Sequence, residues 1–171
     1  MSADERTAAN IVKKYSETVA CQIQEVQYQK NQYKAVKIIQ GDKELGGLGD
    51  LFVVYWEGDV GCMGGNGTVV PNFTVVEQRG FSSVPPVVVP GYKLPDLDLV
   101  QVTSISGKNG ILQINGITYG EKDRQHEPTK KVSYTLKIDQ ENEAFTRRWL
   151  SKLAWRHHSA LDEDKKPNCK F

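Results

Sequence analysis

One run of six residues limits the fold of this chain more than any other feature. Leu51 to Trp56 reads LFVVYW, and each residue is apolar, β-branched or aromatic. That composition is typical of a strand covered on both faces, and the run is too short for a buried helix. The next stretch, GDVGCMGGNGT over residues 58–68, is rich in glycine, which packs no side chain and favours loops. We therefore predict a buried central strand that runs into a glycine-rich loop carrying a cysteine.

An amphipathic helix is predicted before this strand, from residue 3 to about residue 19. Ser2 and Glu5 fit a capping box, in which each side chain bonds the backbone amide of the other residue. Apolar residues then recur at steps of three and four, which is the spacing of one helix face: Ala8, Ile11, Val12, Tyr15 and Val19.

Several further segments have strand character. Residues 21–29 shift toward alternation and predict a strand with a bulge, although continuation of the helix through Val26 is the alternative. Asn109-Gly110 accepts the positive φ angles of a tight turn and predicts a hairpin between two strands. The four prolines of residues 82–96 exclude that segment from the centre of a sheet. The remaining predicted strands are 33–39, 51–57, 73–77, 97–106, 111–119 and 132–138.

From Gln140 onward the apolar spacing becomes helical, with acidic residues early and basic residues late, as the helix dipole favours. The whole pattern predicts an α+β fold: an N-terminal helix packed on a curled antiparallel sheet of about five to six strands, with a C-terminal helix. We expect one domain over residues 1–158 and a polar C-terminal tail over residues 159–171.

Charge and hydropathy argue against nucleic-acid binding and against a membrane-spanning helix. The 171 residues include 22 lysines and arginines against 21 acidic residues, a net charge of +1. Nucleic-acid recognition rests on concentrated positive charge, so no nucleic acid is expected. No apolar run approaches the roughly 20 residues of a membrane helix, so no transmembrane segment is expected.

The three cysteines predict one disulfide and one spare thiol. Cys21 and Cys62 lie at the edges of predicted elements, whereas Cys169 lies in the polar tail, so Cys21–Cys62 is the favoured pair. Three unpaired thiols in a cytosolic protein are the alternative. The N-terminus has no apolar signal-peptide core, so the chain is either cytosolic or a mature exported chain; the disulfide favours the periplasm or secretion.

The glycine-rich loop is the first candidate site. Its amides could nest an anion, but it lacks the lysine and following helix of a nucleotide-binding loop. A purely conformational role for the glycines, in a connection pinned by the disulfide, is the favoured interpretation. Catalysis by Cys62 would need a histidine base, and nothing marks His126, His157 or His158 as one. No catalytic residue, metal or cofactor is therefore predicted.

The predicted C-terminal helix contributes a second candidate. Trp155 falls off its apolar face beside arginines, and aromatic residues with arginine are typical of binding hot spots. The predicted binding residues are Asp59, Met63, Gly64, Gly65, Asn66, Gly67 and Trp155.

Residues 55–68, YWEGDVGCMGGNGT, resemble a strand-and-loop pattern of small exported bacterial proteins of uncharacterised function. In those proteins the cysteine pairs with one near the end of an N-terminal helix, which implies export and a Cys21–Cys62 disulfide here. The resemblance covers about a tenth of the chain and implies no activity.

These features predict an exported, periplasmic or secreted, non-enzymatic binding protein whose partner is another protein. An inhibitor or immunity protein against a toxin or a cell-wall hydrolase fits a disulfide-stapled scaffold with loops that could plug a cleft. The alternative is a small-ligand or anion-binding module that uses loop 59–68.

Overall fold

The computed structural model describes residues 1–65, 67–81, 83–124 and 127–148. This part of the chain is α+β, with one N-terminal helix packed on antiparallel strands, as predicted. The sheet that the helix covers has five strands, within the predicted number, but the other four strands form a second sheet that was not predicted. The elements are α1 (Ala3–Val19), β1 (Gln22–Ile23), a 3₁₀ helix (Val26–Tyr28), β2 (Lys34–Ile39), β3 (Leu51–Asp59), β4 (Val70–Glu77), β5 (Val87–Val89), β6 (Gln101–Lys108), β7 (Ile111–Thr118), β8 (Lys130–Asp139) and β9 (Ala144–Arg147).

Strand β3 is the centre of the five-stranded sheet, which we call sheet I. β4 pairs with it on one side, and β2 and β1 pair with successive parts of it on the other. Each residue from Leu51 to Trp56 is at most 1% exposed. The prediction of a strand covered on both faces is therefore confirmed.

Two hydrophobic cores lie on opposite faces of sheet I. Leu51, Val53 and Tyr55 point toward the four-stranded sheet, β6–β7–β8–β9, which we call sheet II. Phe52, Val54 and Trp56 point the other way, toward α1. The molecule is thus built as three layers, with α1 on one face of sheet I and sheet II on the other.

Helix α1 has the predicted bounds and capping box: the Ser2 hydroxyl accepts from the Glu5 amide, and a Glu5 carboxylate oxygen accepts from the Ser2 amide. Its most buried residues are small: Ala8, Ala9, Val12 and Ser16. Ser16 is tolerated in this core because its hydroxyl lies 2.8 Å from the Tyr33 hydroxyl. Small residues let the helix approach the sheet closely, so Ile11 and Tyr15 lie at the margin of the contact.

The predicted hairpin between β6 and β7 is confirmed. Asn109 and Gly110 occupy its turn with φ angles of 53° and 74°, the left-handed values that a two-residue turn requires. The proline-rich segment contributes only β5, a three-residue edge strand that pairs with the end of β4. Its predicted exclusion from the centre of a sheet is also confirmed.

Two predicted elements are wrong. Residues 21–29 form only the two-residue strand β1 and then a 3₁₀ helix. The C-terminal helix predicted from Gln140 is replaced by a turn and β9, because Asp139 accepts the amides of Glu141 and Asn142 and Phe145 packs into the core between the sheets. Residues 149–171, which include the rest of that predicted helix and the polar tail, lie outside the described residues.

Within the described ranges, no helix is long and apolar enough to cross a membrane. The single domain over residues 1–158 stays a prediction.

Gly107 tests the close contact between the sheets. A Cβ atom at this position would lie 2.4 Å from Cγ2 of buried Ile38 and 3.3 Å from the Ile111 carbonyl oxygen. We expect Gly107→Ala to lower the free energy of unfolding by about 1 to 3 kcal/mol through overpacking, measured by urea unfolding. Ser106→Ala, on the exposed face of the same strand, should change it by less than about 0.5 kcal/mol. Equal stability of the two variants would contradict this packing.

Candidate functional site

Loop 59–68 connects the ends of β3 and β4, and its position is fixed by a covalent bond. Cys62 forms a disulfide with Cys21, which follows α1, with the Cα atoms 5.2 Å apart. The amide of Cys21 also donates to the carbonyl oxygen of Asp59 at 3.0 Å. The predicted Cys21–Cys62 pair is confirmed. Since the Cys62 sulfur is committed to this bond, it is not a thiolate nucleophile.

Asp59 organises the loop from within. Its side chain is buried, and its carboxylate accepts the backbone amides of Gly64 at 3.1 Å and Met63 at 3.4 Å. These bonds stabilise the ionised carboxylate, and the pKa of Asp59 is lowered, chiefly by the Gly64 amide and further by Thr68, Met63 and Cys62. The Asp59 carboxylate is therefore an anion within the loop, and it holds the first turn by accepting these amides.

The glycines of the loop serve its backbone. Gly64, Gly65 and Gly67 all have positive φ angles, and an added Cβ would meet nothing within 4 Å at any of them. Conformation rather than crowding thus selects glycine here. The amides of Met63 and Gly64, which could have nested an external anion, already donate to Asp59. The anion site stays a prediction, and an incoming anion would have to compete with that carboxylate.

Met63 is the outermost side chain of the loop. It is 79% exposed, more than any other large apolar side chain in the described ranges. Val60 and Val70, at the two ends of the loop, are each 46% exposed. Among the predicted binding residues, the structure thus brings Asp59, Met63 and the glycines together in one loop. Asn66 and Trp155 lie outside the described residues.

A cleft of about 640 Å³ lies at the opposite end of β3. It is bounded by the first turn of α1, the loop that precedes β3 and the segment that follows β4. Lys37 and Asp50 form an ion pair of 2.5 Å within it, and Lys37 also contacts Asp4 at 3.1 Å. Sequence analysis missed this site, because the three residues belong to separate elements.

The charges in this cleft are committed to the fold. Asp50 accepts from Lys37, from the side chain of Gln40 and from the amide of Gly41. Partial burial alone would lower the pKa of Lys37, but Asp50 and Asp4 outweigh it and raise the pKa above its usual value. These contacts of Lys37 and Asp50 fasten α1 and the loop before β3 to sheet I.

A third polar cluster is buried near the end of β3. The Tyr55 hydroxyl bonds to the Glu57 carboxylate, and the Gln29 side chain donates to both, at 3.2 and 2.7 Å. Burial, followed by Glu57, raises the pKa of Tyr55 far above its usual range. Tyr55 therefore stays neutral and structural. The signal in the sequence was a polar residue two positions after an inward-facing tyrosine, on the same face of the strand.

In the described ranges, no group of three or more His, Cys, Asp or Glu side chains is arranged to hold a metal ion.

Asp59→Asn tests the internal anion. The folded-state pKa of Asp59 is lowered, so its contribution is present above the unfolded value of about 4 and is lost as pH falls through the folded value. We expect the hydrogen-exchange protection factors of the Met63 and Gly64 amides to fall between pH 6 and acidic pH in the parent chain. In Asp59→Asn they should be low throughout. Asp42→Asn removes a carboxylate that bonds amides of another loop and should leave them unchanged. Equal protection in all three proteins would contradict this role.

The disulfide closes a loop with a sequence separation of 41. In the chain-entropy model such a cross-link contributes about 4 kcal/mol. We expect Cys21→Ser/Cys62→Ser to lower the free energy of unfolding by roughly that amount, measured by urea unfolding under non-reducing conditions. Cys169→Ser retains the disulfide and is the matched control. Titration of three free thiols in the untreated protein would contradict the pairing.

Comparison of the chain with protein-family models, with curated proteins and with solved structures found no match. The resemblance of residues 55–68 to small exported bacterial proteins stays a prediction, and the function is argued from the geometry of the site.

Proposed function

We propose that this chain is an exported, non-enzymatic binding protein that engages another protein through loop 59–68, as an inhibitor or immunity protein does. The observation that carries the proposal is the exposed side chain of Met63 on a loop fastened at two points. One point is the Cys21–Cys62 disulfide, and the other is the Asp59 carboxylate, which binds the Met63 amide itself.

Preorganisation is the physical advantage of this arrangement. Ordering a flexible loop during binding consumes part of the interaction free energy, whereas a loop that is already ordered avoids that cost. A large apolar side chain left in water on an ordered loop gains free energy when a partner covers it. The loop therefore combines an anchor residue with a small entropic penalty, as effective inhibitory loops do.

The shape and chemistry of the loop favour a concave target. Methionine has several rotatable bonds and a polarisable sulfur, so it fits apolar pockets of irregular shape. A projecting loop can enter a cleft such as the substrate groove of a cell-wall hydrolase or the active site of a toxin. The small residues beside Met63 would let the target backbone approach closely.

The disulfide supports location outside the cytosol. Structural disulfides persist in the periplasm and in secreted proteins, and cytosolic thiols are kept reduced. A periplasmic or secreted location is thus part of the proposal, and it is consistent with targets in the cell envelope.

Site-specific photo-crosslinking tests this function. A benzoylphenylalanine at position 63 of the full chain, mixed with an envelope extract of the source organism, should crosslink to one defined protein. The same probe at position 45 is the matched control, because Leu45 is an exposed apolar residue of the loop before β3. The crosslinked protein is then purified and its affinity for the unmodified chain is measured.

We expect Met63→Ala to weaken that affinity at least tenfold, about 1.4 kcal/mol, and Leu45→Ala to change it less than twofold. If the partner is a hydrolase or a toxin, the parent chain should inhibit it at the same concentrations. Identical crosslinks from both positions, or an unchanged affinity of Met63→Ala, would overturn the proposal.

A further inference from the structure

The outer face of sheet II is a broad polar surface on which no other element of the described ranges packs. Sheet I packs on the inner face, where Leu112, Ile114 and Leu136 are fully buried. The alternate residues point outward: Gln113 and Asn115 on β7, and Ser133 and Thr135 opposite them on β8. The centre of this face is therefore a strip of hydroxyl and carboxamide groups, in which Asn115 donates to the Ser104 hydroxyl of β6 at 3.0 Å and Gln113 accepts from Ser106 at 3.4 Å.

Cations lie at both ends of the strip. Lys131 lies at one end of β8 and Lys137 at the other, and Arg148, directly after β9, lies opposite Thr135, whose carbonyl oxygen accepts the Arg148 amide at 2.8 Å. All three are exposed, and the three ion pairs found among the described residues involve none of them. The nearest acid along β8, Asp139, is held by hydrogen bonds to the amides and side chain of the following turn.

The spacing along the face suits an extended polymer. Lys137 lies six positions after Lys131, and at about 3.4 Å per residue the two are about 20 Å apart. Shallow depressions of about 510 and 600 Å³ lie around Lys131 and Lys137 respectively. A linear chain lying along β8 would thus meet a cation, then neutral hydrogen-bonding groups, then a second cation.

The composition of the face indicates which class of polymer it would bind. A protein partner would be expected to meet an apolar core, whereas the described outward residues offer only the half-buried Ile111 and Ile117 as large apolar groups. Nucleic acids favour a denser positive charge and aromatic stacking. A hydroxyl-rich polymer with sparse negative charge matches the neutral strip and the widely spaced cations.

We infer that the outer face of sheet II binds a linear acidic polysaccharide, with its carboxylates at Lys131 and Lys137 and its hydroxyls on the strip between them. The inference does not rest on loop 59–68 or on its protein target. Contacts of this kind are hydrogen bonds and exposed ion pairs, so the binding is weak and decreases with ionic strength.

The test is a titration of the isotope-labelled full chain with three probes of equal length. The NMR chemical shifts of the backbone amides are measured during each titration. The probes are oligogalacturonate, which is acidic and hydroxylated, dextran, which is neutral, and polyglutamate, which is acidic but has no hydroxyls. Oligogalacturonate should shift the amides of Gln113, Asn115, Ser133 and Thr135 and bind at least tenfold more tightly than either other probe.

Two double variants separate the contribution of the cations from that of the hydroxyl groups. Lys131→Gln/Lys137→Gln should weaken oligogalacturonate binding at least tenfold, and Ser133→Ala/Thr135→Val at least threefold. Lys13→Gln/Lys14→Gln, on the exposed side of α1, has the same change of charge and should leave the affinity within twofold. Unfolding midpoints should show that all three variants fold.

Three results would overturn the inference. Polyglutamate binding as tight as that of oligogalacturonate would show that the face recognises charge alone. Equal weakening by the α1 variant would show that the net charge is responsible, and amide shifts confined to other parts of the chain would place the site elsewhere.

Discussion

Strand β3 contributes side chains to two hydrophobic cores at once, and the other layers depend on this. Because successive side chains of a strand point to opposite faces, Tyr55 enters the core between the sheets while Trp56 packs under α1. Burying each large apolar side chain is worth about 2 kcal/mol. A slip of one residue would exchange the two faces, so the register of β3 fixes the positions of α1 and sheet II together.

The same strand explains how residues 59–64 are held in place although this part of the chain is rich in glycine. β3 remains paired up to Asp59, which is bridged to Gln22 of β1. The last residue of the strand thus has a fixed backbone, and its buried carboxylate binds the amides of Met63 and Gly64. The disulfide adds a second connection, to the chain that leaves α1. The first part of the loop is therefore held to the core through two of its own residues, Asp59 and Cys62.

The features that could be predicted from the sequence are those whose causes are local. The capping box of Ser2 and Glu5, the turn at Asn109-Gly110 and the apolar run of β3 each carry their signal within a few residues. β9 carries no such signal, because Phe145 and its neighbours also fit a helix. Pairing with β8 and burial of Phe145 decide the outcome, and both are long-range effects.

The division into two sheets could not be predicted from the sequence for a similar reason. Alternation in β7 and β8 indicates one buried face, but it does not specify which other strands that face packs against. In the candidate site, Cys62 and the glycines could be found from composition. The role of Asp59 could not, since the sequence alone does not distinguish an exposed acidic residue at the end of a strand from one that accepts the amides that follow it.

The polar groups of the described residues divide into two kinds, and both proposals rest on this division. Some are buried or partly buried and bond to each other: Lys37 pairs with Asp50, and Tyr55 with Glu57. These contacts hold the layers together. Met63 and the outer face of sheet II have the opposite character, since their contacts with the rest of the described chain are few and their backbone is fixed. A rigid element with exposed side chains gains free energy from a partner at little entropic cost. The loop offers an apolar anchor and the sheet face offers hydroxyls and spaced cations, so the two surfaces suit partners of different chemistry. One chain could therefore hold a protein target and an envelope polymer at the same time.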